Sequence, residues 1–150
     1  YKPYHRELRR LISRVQRQFG AVILVDCHSM PSTGASHEET RRADLVVGDR
    51  YGASCAPVVS AVIEGAMSRL GYSVSRNKPY AGGFITEHYG HPTEGFHSVQ
   101  IELNRATYLD EKRRERLPRF ARVIADFSTL ADDLGAIAMD QLRHMRTAAE

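Results

Sequence analysis

Residues Ala21-Val22-Ile23-Leu24-Val25 form an unbroken apolar run that stops at Asp26-Cys27-His28. A short run without polar alternation suits a strand covered on both faces, as in parallel sheets. On its amino side Leu8, Leu11, Ile12, Val15 and Phe19 recur at helical spacing. That spacing predicts a helix over 5–18, with Gly20 in the left-handed position past its end. On the carboxyl side lies a polar stretch, 29–43, holding Pro31 and Gly34. Loops of that length are uncommon unless they are functional or disordered.

The same rhythm continues. Asp44-Leu45-Val46-Val47-Gly48 reads as a second buried strand. Ser54 is placed to cap a helix carrying Val58, Val59, Val62, Ile63, Ala66, Met67 and Leu70, closed by Gly71. Tyr72 to Ser75 reads as a weaker strand, Gly82 to Tyr89 as extended, and Ser98 to Leu103 as a clear strand. A helical region is predicted from Asp110, interrupted near Pro118 and resuming through Phe120, Val123, Ile124, Phe127 and Leu130 to Gly135. An amphipathic tail follows, with Ile137, Met139, Leu142 and Met145. The pattern predicts one α/β domain over 1–150, a mostly parallel or mixed sheet flanked by helices.

Composition narrows the function classes. An apolar share of 42% and a charged share of 26% are globular values, which excludes disorder and fibrous repeats. No apolar run approaches the roughly 18 residues of a membrane span, so no membrane partner is expected. Tyr1 to Arg6 lacks the apolar core of a signal peptide, and a first residue other than Met points to a piece of something longer. The net charge of +3 is spread along the chain. Its densest cluster, Lys112-Arg113-Arg114 with Arg116, is interleaved with Asp110, Glu111 and Glu115 and reads as a solvated helix face. Nucleic acid is therefore not an expected partner. Cys27 and Cys55 are too far apart for a CxxC motif and read as buried, reduced thiols of a cytoplasmic protein.

Polar residues collect just past the expected strand ends: His28, Arg50, Asn77, then Asn104 and Arg105. Open α/β sheets bind ligands there. Asp26 and His28 are two apart, so on a strand they share a side and Cys27 faces the other. The imidazole is a metal ligand, an acid/base, or simply a hydrogen-bonded core histidine. Asp26 would orient the ring or join the ligands. On the last strand Val99, Ile101 and Leu103 alternate with Ser98, Gln100, Glu102 and Asn104. That is either a half-solvated strand or one carrying a working carboxylate, since buried Glu is rare unless paired or used. Beside a metal-bound water, Glu102 could act as general base. Asn77-Lys78-Pro79-Tyr80-Ala81-Gly82-Gly83 is a tight turn whose Gly pair lets backbone approach a ligand. Arg50 and Arg105 carry forks suited to carboxylates or to surface ion pairs. His91 and Glu94 match a short zinc-site spacing inside a Pro-containing loop. His5, His37, His88 and His144 read as surface or packing residues, with His97 intermediate.

Several motifs occur together in order: Tyr4-His5, Asp26-Cys27-His28-Ser29-Met30-Pro31-Ser32, and Gly48-Asp49-Arg50-x-Gly52-x-Ser54-Cys55. They continue with Asn77-x-Pro79-Tyr80-x-Gly82-Gly83, Tyr89-Gly90-x-Pro92 and His97-x-x-Gln100-Ile101-Glu102-Leu103-Asn104-Arg105. Together they resemble the N-formylglutamate amidohydrolase family from about Tyr1 to beyond Asp110. The resemblance implies a zinc-carboxypeptidase-like layered α/β fold. It also implies a zinc-dependent hydrolase that converts N-formyl-L-glutamate to formate and glutamate in histidine breakdown. Its partner would be a small N-acyl acidic amino acid. His28 would be a zinc ligand, Glu102 the general base, and Arg50, Asn77, Tyr80 and Arg105 grips for the substrate.

The family's other zinc ligands, including a His-Ser-Gly motif, come from a segment upstream of the part seen here. The resemblance thus implies a C-terminal portion with an incomplete ligand set and an incomplete sheet. The alternative is a non-catalytic anion-binding domain derived from the family. A basic nucleic-acid module would have to show salt-sensitive binding.

Overall fold

The computed structural model describes residues 1–33 and 42–143. His37, His144 and Met145, and the middle of the polar stretch after Ser29, lie outside them. The first helix, α1 (Lys2–Phe19), starts earlier than its apolar spacing predicts, with Pro3 in its first turn. A proline there costs no helical hydrogen bond, because the first amides lack partners anyway. Gly20 closes the helix at φ 85°. Leu11 and Phe19, expected in the core, are 42% and 55% exposed.

The remaining major elements are β1 (Val22–Met30), β2 (Leu45–Gly48), α2 (Pro57–Arg69), β3 (Val74–Arg76), α3 (Phe84–Tyr89) and β4 (Phe96–Asn104). A small hairpin, β5 (Leu109–Asp110) and β6 (Glu115–Arg116), precedes α4 (Phe120–Gly135) and α5 (Met139–Arg143). The four-stranded sheet has the order β1-β4-β2-β3. β1 runs parallel to β4 and β2 to β3, but β2 runs antiparallel to β4. The sheet is therefore mixed, two parallel pairs joined through one antiparallel pairing, within the mostly parallel or mixed layering expected. An apolar run such as Leu45-Val46-Val47 is equally at home in either orientation once both faces are covered.

One sheet face carries the main core. Leu45, Val47, Val99, Ile101 and Leu103 pack with Val59, Ile63 and Met67 of α2 and Val123, Leu130 and Leu134 of α4. The opposite face is covered at one end by α1 and α3, where Ile12, Val22 and Tyr89 meet Leu8, Leu24, Ile85 and Phe96. β4 is buried from His97 to Asn104 and β2 throughout, whereas β1, the edge strand, leaves Cys27 and His28 exposed. Cys27 is thus not the buried thiol expected. Cys55 is, and burial pushes its pKa up to about 11. No helix among the described residues is long and apolar enough to cross a membrane.

Three local expectations are corrected. Gly82 to Tyr89 is not extended: α3 forms from Phe84, with the Thr86 hydroxyl donating to the Gly83 carbonyl at 2.7 Å. The region after Asp110 is a hairpin, not a helix. The Asp110 carboxylate accepts the amides of Lys112 and Arg113, both at 3.0 Å, and so takes those donors out of helical bonding. Arg116 there stacks on Phe120, 4.4 Å from the ring centre. Ser54 does not cap α2. Ala56 precedes Pro57 at the helix start, and the buried Ser54 hydroxyl has no hydrogen-bond partner among the described residues.

At that helix start the Ala56 amide instead donates to His97 Nδ1 at 3.1 Å. An accepting Nδ1 requires the proton on Nε2, which faces the Leu142 carbonyl at 3.1 Å. His97 therefore ties β4 to α2 and α5 as a neutral ring, and burial holds its pKa below the ordinary value of 6.5. The unfolded chain then binds the proton more readily than the fold does. Stability should be level above about pH 7 and fall as pH drops below about 6.5 toward the lowered folded pKa. Urea unfolding between pH 7.5 and 5 checks this, and His97→Gln should flatten the slope.

Candidate active site

The register of β1 on β4 sets Asp26 beside Gln100 and His28 beside Glu102. β2, on the other side of β4, sets Val46 against Glu102 and Gly48 against Gln100. These residues share one sheet face, beyond the part covered by α1. His28 Nε2 lies 3.0 Å from Asp26 Oδ2, so the two-residue spacing places carboxylate and imidazole together as expected. His28 Nδ1 lies 3.9 Å from Glu102 Oε1, a contact made only by the pairing of the two strands. His28 sits within β1, not past its end, because the strand continues to Met30. Its ring is half exposed, whereas Glu102 is 7% exposed.

Gln100 links this pair to the glycine loop. Its Nε2 donates to Glu102 Oε1 at 2.8 Å, and its Oε1 accepts the Gly83 amide at 2.8 Å. A neutral side chain with a donor at one end and an acceptor at the other can hold a carboxylate without cancelling its charge. The loop passes directly over Gly48. A Cβ on Gly48 would stand 2.6 Å from the Gly82 nitrogen and 2.8 Å from the Ala81 carbonyl carbon. Gly48→Ala should therefore displace the loop and cost about 1–3 kcal/mol, read by urea unfolding.

Asn77 and Arg50 belong to a different arrangement from the one expected. Asp49, 1% exposed, accepts Asn77 Nδ2 at 2.7 Å, the Ser60 hydroxyl at 2.7 Å and the Gly52 amide at 3.0 Å. Asn77 Oδ1 in turn accepts the Asp49 amide at 3.1 Å. The Asn77 amide is thus committed within the protein, and what it contributes to the site is the shape of the loop. Burial by itself would raise the Asp49 pKa. The hydrogen bonds from Asn77, Ser60 and Gly52, with Arg76 nearby, hold it below the usual value. This hub supports the left-handed backbone of Arg50 and Tyr51, at φ 55° and 57°. The Arg50 amide donates to the Ala81 carbonyl at 2.8 Å, and its guanidinium pairs with Glu87 at 3.1 Å on the surface.

The antiparallel step in the sheet separates the other grips. The carboxyl end of β2 lies beside Gln100, whereas Arg105 follows the carboxyl end of β4, on the far side of Glu102. Arg105 there meets the Ser29 hydroxyl and carbonyl, both at 3.3 Å, and Glu111 at 3.9 Å. Tyr80 receives a hydrogen bond from Arg42 at 3.3 Å. Sequence reasoning overlooked Asp49, Gln100 and Arg42 as contributors. Gln100 carried a signal, its two-residue offset from Glu102 on one strand face. Asp49 carried none, since a polar residue after an apolar run looks like the start of any loop. Among the described residues no group of three or more His, Cys, Asp or Glu side chains is placed to hold a metal ion.

A sequence profile described as N-formylglutamate amidohydrolase matches residues 1–109. The N-formylglutamate deformylase of Pseudomonas putida is 39% identical over 112 residues, covering 74% of this chain and 42% of that protein. The deformylase of Pseudomonas aeruginosa is 38% identical over 113 residues, covering 75% and 42%. The crystal structure of N-formylglutamate amidohydrolase from Ralstonia eutropha superposes with a TM-score of 0.75 at 33% identity, covering 97% of this chain and 50% of that one. The chain thus spans about half, or less, of the length of these relatives. With a profile match across most of its length, it belongs to the N-formylglutamate amidohydrolase family.

Proposed function

We propose that this chain supplies the general base and substrate-facing loop of an enzyme that hydrolyses N-formyl-L-glutamate to formate and L-glutamate, a step in histidine breakdown. The observation that carries this is Glu102, buried, held by Gln100 and facing His28 across the strand pair. The names of the Pseudomonas relatives support the substrate. Glu102 takes a proton from the attacking water, oxygen adds to the formyl carbon, and the C–N bond breaks as the same carboxyl returns the proton to the leaving amine. Asp26 fixes the His28 ring. Arg50, Tyr80 and Arg105 offer donors to the substrate's two carboxylates and carbonyl, while Asn77 shapes the loop that presents them.

The family likeness supports a zinc-carboxypeptidase-like layering and a zinc ion that would polarise the carbonyl and activate water. His28 would be one ligand. A catalytic zinc takes about three protein ligands, and among the described residues no three His, Cys, Asp or Glu side chains are grouped to hold one. No step is therefore assigned to the metal. The isolated 150-residue chain should retain substoichiometric zinc after dialysis and release no formate from N-formyl-L-glutamate, by metal analysis and a coupled formate assay. A chimera in which this chain replaces the matched half of the Ralstonia enzyme should release formate. A folded chimera inactive on that substrate would count against the assignment.

A further inference from the structure

Gln100, Glu102 and Asn104 alternate along β4 and so share one sheet face, and each end of this row is tied to a loop. Gln100 accepts the Gly83 amide at 2.8 Å, and Asn104 Nδ2 donates to the Ala43 carbonyl at 3.3 Å. The two loops then meet each other, since Arg42 Nη1 donates to the Tyr80 hydroxyl at 3.3 Å. Tyr80 immediately precedes the segment that lies over Gly48, on the same face as Gln100. A closed ring thus runs from Gly83 through Gln100, Glu102 and Asn104 to Arg42, and back through Tyr80. Arg42 Nη1 also donates to the Pro31 carbonyl at 3.2 Å. Pro31 follows Met30, which the register sets beside Asn104, so the guanidinium stands level with the carboxyl end of β4.

The two arginines already placed at the site are engaged with carboxylates, Arg50 with Glu87 at 3.1 Å and Arg105 with Glu111 at 3.9 Å. Arg42 pairs with no carboxylate among the described residues. Its Nη1 makes the two contacts above, and its Nε and Nη2 donate to no described residue. Tyr80 accepts through its oxygen, which leaves the hydroxyl hydrogen to donate. Both side chains are half-buried. A guanidinium edge beside a phenol offers adjacent donors that suit a carboxylate in two or three charge-assisted bonds. Position selects which carboxylate. Glu102 and Asn104 are two residues apart, about 7 Å along the strand. In N-formyl-L-glutamate the side-chain carboxylate lies five bonds from the formyl carbon and the backbone carboxylate three, so the longer arm fits that span. We propose that Arg42, assisted by Tyr80, binds the side-chain carboxylate and so sets the preference for an acidic amino acid. This rests on the reading of Glu102 as the base acting at the formyl group, and the carboxylate site itself is tested without turnover.

The probe is L-glutamate, titrated by NMR into the 150-residue chain. It should shift the Arg42 Nε–H and Tyr80 ring signals. Arg42→Gln should weaken its binding by about tenfold or more, the usual effect of losing a charged hydrogen-bond partner. L-Glutamine should bind both chains alike, because only the side-chain carboxylate calls on the guanidinium. Arg42→Lys, which keeps the charge but not the fork, should fall between them. Circular dichroism should be the same for all three chains, since both Arg42 hydrogen bonds are near the long limit. In the Ralstonia chimera, Arg42→Gln should raise KM for N-formyl-L-glutamate by a similar factor and change kcat less. Absence of glutamate binding, binding indifferent to Arg42→Gln, or equal losses for glutamate and glutamine would each overturn the proposal. Glutamate binding through Arg42 beside a folded chimera that releases no formate would uphold the carboxylate site and count against the deformylase reading alone.

Discussion

Replacing Glu102 with glutamine in the Ralstonia chimera is expected to lower kcat for formate release by about 100- to 10,000-fold, the usual range for a general base. Glutamine keeps the size of the side chain and can turn its amide oxygen toward the Gln100 donor, which now stands 2.8 Å from Glu102 Oε1. KM, melting temperature and metal content should therefore change little, while the water loses the group that accepts its proton. Loss of turnover with intact folding separates a chemical role from a structural one. A loss of less than about tenfold would remove Glu102 from that role.

Asp49→Ala is expected to be the most damaging single change to stability near the site. It leaves the buried Asn77 amide and Ser60 hydroxyl without their carboxylate acceptor, and takes the carboxylate from the Gly52 amide, which keeps the Asp49 carbonyl at 3.1 Å. Hydrogen bonds to a charged group contribute about 1.5–3 kcal/mol each, and stranded donors add a penalty, so a loss of about 3 kcal/mol or more is expected. In a chain of this size that lowers Tm by roughly 6–12 °C. Asp49→Asn, which keeps the shape, should lose less. Because the folded carboxyl has a lowered pKa, its contribution is fully present above the unfolded value near 3.8. It fades as pH falls through the lower folded value. Acid unfolding of wild type against Asp49→Asn, followed by circular dichroism, tests that sign.

How far the sequence could be read depended on the range of the interactions involved. The segment around α2 was legible because Val59, Ile63, Ala66 and Met67 are spaced for one buried helical stripe. β2 was legible because a four-residue run with both faces covered needs nothing but apolar side chains. The helix expected from Asp110 failed because charged residues three and four apart serve a helix surface or a turn equally, and the Asp110 carboxylate decided for the turn. α3 was missed because a six-residue helix offers too little period to detect.

The candidate site divides the same way. That Asp26 and His28 share a side, and that Gln100 and Glu102 share another strand's face, follows from the two-residue period of a strand and was set by the sequence alone. So was the family likeness, which rests on motifs in order. That His28 meets Glu102 was decided by strand register, which depends on how Ile101 and Leu103 seat against α2 and α4. The antiparallel turn of β2 against β4 decided which end of the sheet received Arg50 and which received Arg105. Sheet order made β1 an edge, so its apolar run is half uncovered instead of buried. Local periodicity records which side chains share a face; only the packing of distant segments decides which faces meet.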